Sequence, residues 1–140
     1  MEGNIKQPKK KPGKPSIGNF SLVMNAQKGI GIDLAFEIAE SLLISNEELS
    51  QILHLTAKTL RNYQKENKNL NPIASEQVLK LNELRIRGEQ VFGSVEAFMR
   101  WMKKPAFGLD GRVPFHFLQT SGGMDLIMEE LEAIAHGDFS

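Results

Sequence analysis

Apolar side chains recur at helical spacing along nearly the whole chain. Phe20 to Gln27 reads as a short helix stopped by Gly29, with Gly31 loosening the joint. In Ile32 to Leu43, Ile32, Phe36, Ala39 and Leu43 form a stripe flanked by Ala35, Ile38 and Leu42, with Asp33, Glu37 and Glu40 opposite. Ser45 followed by Glu48 is a capping-box pair ahead of Leu49, Ile52 and Leu53. That helix ends at His54-Leu55, and Thr56 caps the next, Ala57 to about Glu66. The longest period runs from Pro72 to about Phe92, with Ala74, Val78, Leu81, Leu84, Gly88 and Val91 as its stripe. A helix between two modules serves as a connector, a dimer interface or both, and the stripe by itself reads as core before dimer seam.

Gly93 breaks the chain, and Ser94 opens a helix ending near Lys103, with Val95, Phe98, Trp101 and Met102 inward. After a turn over Pro105 to Gly111, Pro114 begins a short helix that pauses at Ser121-Gly122-Gly123. The final stripe is Met124, Ile127, Met128, Leu131, Ile134 and Ala135, with Gly137 as the terminal cap. Asp138, Phe139 and Ser140 then stand free. The fold class predicted is all-α.

The two helices around His54 carry the first specific content. A tight turn with small Ser50 at the approach is a helix-turn-helix pattern, with Leu55 and Leu60 as hinge and core. The second helix presents Lys58, Thr59, Arg61, Asn62 and Lys65, residue types that contact phosphates and base edges. Lys58, Thr59 and Asn62 suit base reading; Arg61 and Lys65 suit phosphates. A helical hairpin with a solvated basic face accounts for the same residues. The turn carries His54 where Gly is usual, and His is among the non-Gly residues that visit left-handed backbone more often.

Composition narrows the class. Of 140 residues, 41% are hydrophobic and 24% charged, as in a soluble globular protein. No Cys is present, so disulfide and thiolate chemistry are excluded. No apolar run approaches the roughly 20 residues that span a bilayer, and the N-terminus lacks a signal-peptide core, so a cytoplasmic protein with no membrane partner is expected. The net charge is zero but unevenly spread. Lys6, Lys9, Lys10, Lys11 and Lys14 oppose Glu2 in a Pro-rich start, expected to be a disordered arm that either adds phosphate contacts or solubilises. Beyond Val113 the chain has no Lys or Arg and five acids, Asp125, Glu129, Glu130, Glu132 and Asp138, which suggests a surface built for a partner. His54, His116 and His136 are scattered without zinc spacing, and no phosphate-loop or dinucleotide signature occurs. No enzyme activity, cofactor or metal is expected.

Val91-Phe92-Gly93, Trp101, Pro105, Gly108 to Gly111, Pro114, Leu118 with Thr120, Gly122 or Gly123, Leu131 and Ile134-Ala135-His136-Gly137 form an ordered set. That set resembles the toxin-binding domain of the Xre–MbcA–ParS antitoxin family, and the preceding helix-turn-helix with Thr59-Leu60-Arg61 fits the family's order. The chain departs from the pattern at Ala106, at Phe115-His116 and at His54. The resemblance implies a type II antitoxin that occludes the active site of a RES-domain, NAD-degrading toxin and, as a dimer, represses its own operon by binding operator DNA. It places toxin contacts at His136, Gly137, Asp138, Phe139 and Ser140, backed by Pro114, Phe115, His116, Phe117 and Leu118. An acidic terminus fits a toxin pocket that binds NAD phosphates. The alternative is a helix-turn-helix regulator whose C-terminal module only dimerises or binds another protein; a third is a helical adaptor without DNA binding. The implied layout is a basic arm (1–16), an Xre-like helix-turn-helix domain (17–70), a connecting or dimerisation helix (71–92) and a toxin-binding domain (93–140).

Overall fold

The longest apolar stripe in the sequence becomes the axis of the fold. In the computed structural model, which describes residues 19–137, helix α5 (Pro72–Phe92) packs against α1 (Asn19–Lys28), α2 (Ile32–Ser41), α6 (Val95–Met102) and α7 (Ser121–Ala135). Helices α3 (Asn46–Leu53) and α4 (Ala57–Glu66) complete the helix-turn-helix, and short 3-10 segments occupy Phe107–Leu109 and Pro114–Gln119. The fold is all-α, with the helix-turn-helix N-terminal and a helical C-terminal part following it. Ala74, Val78, Leu81, Leu84 and Gly88 of α5 are buried as the stripe predicts, and Val91 is half-buried. One hydrophobic core runs from Ile32 and Leu49 through Leu81 to Leu118 and Leu131. The long helix is therefore more than a connector. It supplies core to both ends of the chain.

Polar side chains inside α5 help fix its place. Buried Ser75 accepts from the Ile30 N–H at 3.0 Å and donates to the Leu70 carbonyl at 3.2 Å. The Leu70 N–H donates to Ile30 at 2.8 Å, so the chain entering α2 and the chain leaving α4 lie antiparallel. At the far end Phe92, Phe98 and Trp101 cluster with ring centroids 5.4–6.3 Å apart. Gly88 permits this, because a Cβ there would lie 2.4 Å from the Phe98 ring.

Helix α2 stops at Ser41 rather than Leu43. Leu43 adopts left-handed backbone (φ 61°) and is 56% exposed, so it leaves the predicted stripe while Leu42 stays buried. The cause is a Schellman closure: Leu43 N–H donates to Glu40 and Ile44 N–H to Ala39, which swings Ile44 into the core. The same closure ends α3 at His54 and α4 at Asn67. Without glycine at these positions, the sequence did not advertise where α2 ends.

The C-terminal part differs from expectation in two further places. Ser121-Gly122-Gly123 is the first turn of α7, with Thr120 accepting from the Gly123 N–H at 2.9 Å. A Cβ on Gly123 would lie 2.0 Å from the Phe117 carbonyl oxygen, so glycine here allows close approach instead of stopping a helix. Ala135 is exposed, whereas Met124, Ile127 and Leu131 of the same predicted stripe are buried.

Candidate functional site

Two surfaces carry the candidate residues. The first rests on the capped pair α3–α4. The Ser45 hydroxyl accepts from the Glu48 N–H while the Glu48 carboxylate accepts from the Ser45 N–H, which starts α3. His54 closes it at φ 58°, taking the place of the usual glycine. The Thr56 hydroxyl accepts from the Thr59 N–H at 3.0 Å, and Leu60 is buried beneath α4. Helix α4 is thereby anchored on one side. On the other, Lys58, Arg61, Asn62 and Lys65 are exposed at i, i+3, i+4 and i+7. Among the described residues, no carboxylate pairs with Lys58, Arg61 or Lys65. Thr59 is half-buried and its hydroxyl accepts from Thr56 at 2.9 Å, so it belongs to the cap as much as to the face. Tyr63 is half-buried beneath Lys68, whose Nζ lies 5.0 Å from the ring centroid.

The second surface is the 3-10 segment before α7. Its first five residues differ in environment. Pro114 and Leu118 are buried, Phe115 and Phe117 are half-buried, and His116 is exposed. Leu118, 1% exposed, packs in the chain's own core, and Pro114 is likewise buried, so these two hold the segment in place from beneath. At the opposite end of α7, His136 is exposed with Nδ1 2.7 Å from the Glu132 carbonyl, and Gly137 (φ 86°) donates to Ile134. Asp138, Phe139 and Ser140 lie outside the described residues. A 15-residue helix separates the two groups, a span of about 22 Å. The fold does not bring them together; a partner touching both must lie along α7.

The acidic end is less available than its charge suggests. Arg87 binds Glu132 bidentately at 2.8 and 3.0 Å, and Lys80 pairs with Asp125 at 2.7 Å. Glu130 is buried. Of the four described acids, Glu129 alone is exposed without a described ion pair. An exposed aromatic was missed instead. Phe107, 81% exposed, sits in the turn closed by the Ala106–Arg112 bridge, and its signal was a phenylalanine in a Pro/Gly-rich loop.

The two surfaces are joined. His54 Nε2 lies 2.8 Å from the Gln119 carbonyl, which requires that nitrogen to carry the proton. Buried Gln77 donates to the same carbonyl at 3.3 Å and to the Ile52 carbonyl at 3.0 Å. Lys103 binds Glu48 at 2.6 Å and lies 4.2 Å from the Phe115 ring centroid. Burial alone would raise the Glu48 pKa. The Lys103 hydrogen bond, the Ser45 N–H and the Lys103 charge together outweigh it and hold the carboxyl below its ordinary value.

Two family models match the chain. The antitoxin Xre-like helix-turn-helix domain covers residues 21–83, and the antitoxin Xre/MbcA/ParS C-terminal toxin-binding domain covers residues 87–137. The chain belongs to the Xre/MbcA/ParS antitoxins. No curated protein gives a match. The antitoxin thus carries a DNA-binding domain type and a toxin-binding domain, families that are typically non-enzymatic. Both matches meet within α5, whose buried face serves the core on either side. No described helix is long and apolar enough to cross a membrane. Among the described residues, no group of three or more His, Asp or Glu is arranged to hold a metal ion.

Proposed function

We propose that this antitoxin neutralises a RES-domain, NAD-degrading toxin by covering its active-site entrance, and that as a homodimer in the cytoplasm it represses its own operon. The observation that carries the reading is the pairing, in one chain, of a toxin-binding domain with a helix-turn-helix whose cationic face has no carboxylate partner among the described residues. Lys58 and Asn62, with Thr59 beside them, read base edges; Arg61 and Lys65 hold phosphates. Phe115, His116 and Phe117, backed by Pro114 and Leu118, form one toxin contact, and His136 and Gly137 with Asp138, Phe139 and Ser140 form the other.

The test is co-expression with the adjacent open reading frame while cellular NAD is measured. The reading expects the neighbour alone to deplete NAD and arrest growth, and this chain to restore both. A toxic neighbour that leaves NAD intact would remove the RES assignment. Truncation of residues 137–140 is expected to weaken neutralisation; full neutralisation by the truncated chain would exclude the tail from the blocking surface.

A further inference from the structure

We propose that the lysine-rich segment preceding α1, residues 1–18, docks into the groove between α1, α5 and α7 of its own chain. The groove encloses about 510 Å³. Leu22, Leu84 and Met124, all buried, form its floor. Its sides carry Glu76 and Glu83 from α5 and Asp125 and Glu129 from α7, against Lys80 as the one base among the described lining residues. Among the described lining residues, four carboxylates against one ammonium give a formal balance of three negative charges. A cationic occupant with some apolar content matches both floor and sides.

The segment has that composition. Lys6, Lys9, Lys10, Lys11 and Lys14 oppose Glu2, a balance of plus four, and Ile5 and Ile17 are apolar. It also ends in the right place. Asn19 begins α1, and Leu22 and Val23, one turn later, already line the groove. Tethering sets the local concentration of such a segment on the order of millimolar, so a weak association suffices. Individual exposed ion pairs contribute little and are screened, so occupancy falls as salt rises.

Docking has a consequence for the DNA-binding half. None of the described lining residues belongs to α3 or α4, so the docked lysines sit on other elements than the face bearing Arg61. The segment then serves the protein's own surface, and DNA must compete for it.

The chain contains no Cys, so Gly13→Cys takes a single spin label. In the full chain at low salt, the label is expected to broaden the amide signals of Glu76, Lys80, Asp125 and Glu129 selectively. High salt, or Glu76→Gln combined with Glu129→Gln, is expected to abolish that selectivity. Broadening spread evenly over the surface, centred on α4, or unchanged in the double variant overturns the proposal. So does transfer of the broadening to an isotopically distinct chain in a mixed sample, which identifies a second copy as the occupant. The labelled native groove provides its own reading, so the conclusion stands even if the double variant misfolds.

Discussion

The recognition helix and the segment before α7 use their residues in opposite ways. On α4, anchoring and contact are divided: Leu60 and the Thr56 cap hold the helix, while Lys58, Arg61, Asn62 and Lys65 face solvent. In Pro114–Gln119, the two roles alternate from residue to residue. A 3.6-residue period keeps four side chains on one face over two turns, whereas the tighter 3-10 geometry distributes five consecutive side chains around the axis. The lesson is that the cationic face of α4 can be altered as a whole without touching the core, whereas in Pro114–Gln119 an exposed residue and a core residue lie only two positions apart.

The largest expected effect tests that contrast directly. Leu118→Ala should cost about 2–5 kcal/mol of stability through the cavity it leaves, while His116→Ala should stay within about 0.5 kcal/mol, both read by urea denaturation. Equal effects would end the division of the segment into buried and exposed residues. Next in size, Lys58→Ala with Arg61→Ala should leave stability nearly unchanged and weaken DNA binding. The loss is about 1–3 kcal/mol for a base contact, and the salt slope drops by about one for each phosphate contact removed. Gel shifts over a salt series measure both, and undiminished binding would move the interface off α4.

The smallest effect concerns the seam between the two regions. The Glu48 pKa is lowered in the folded chain, so its contribution is present above the unfolded pKa and lost as pH falls through the folded one. Glu48→Gln should therefore flatten the acid limb of the stability curve and leave its response to alkaline pH unchanged. A wild-type acid limb in the variant would show that the Lys103 pair contributes nothing there.

Local chemistry made much of this fold legible. The capping box at Ser45, the Thr56 cap, the stripe of α5 and the basic face of α4 all depend on neighbours within a few turns, and all appear where periodicity placed them. The end of α2 was not legible, because its left-handed residue is Leu43 and nothing local marks it. Gly122-Gly123 misled for the converse reason: glycine signals either a break or a close approach, and only the Phe117 carbonyl nearby decides between them.

The amino-acid sequence by itself determined that the chain is helical, where most helices begin, which face of α4 is cationic and which antitoxin family the chain resembles. Only the tertiary structure decided that α5 supplies core to both ends, that Arg87 and Lys80 neutralise two acids of α7, and that His54 and Gln77 meet at one carbonyl of Gln119. Helix caps and periods arise from residues a few positions apart. These contacts join residues 42 to 65 positions apart, so they exist only once packing has chosen which helices are neighbours.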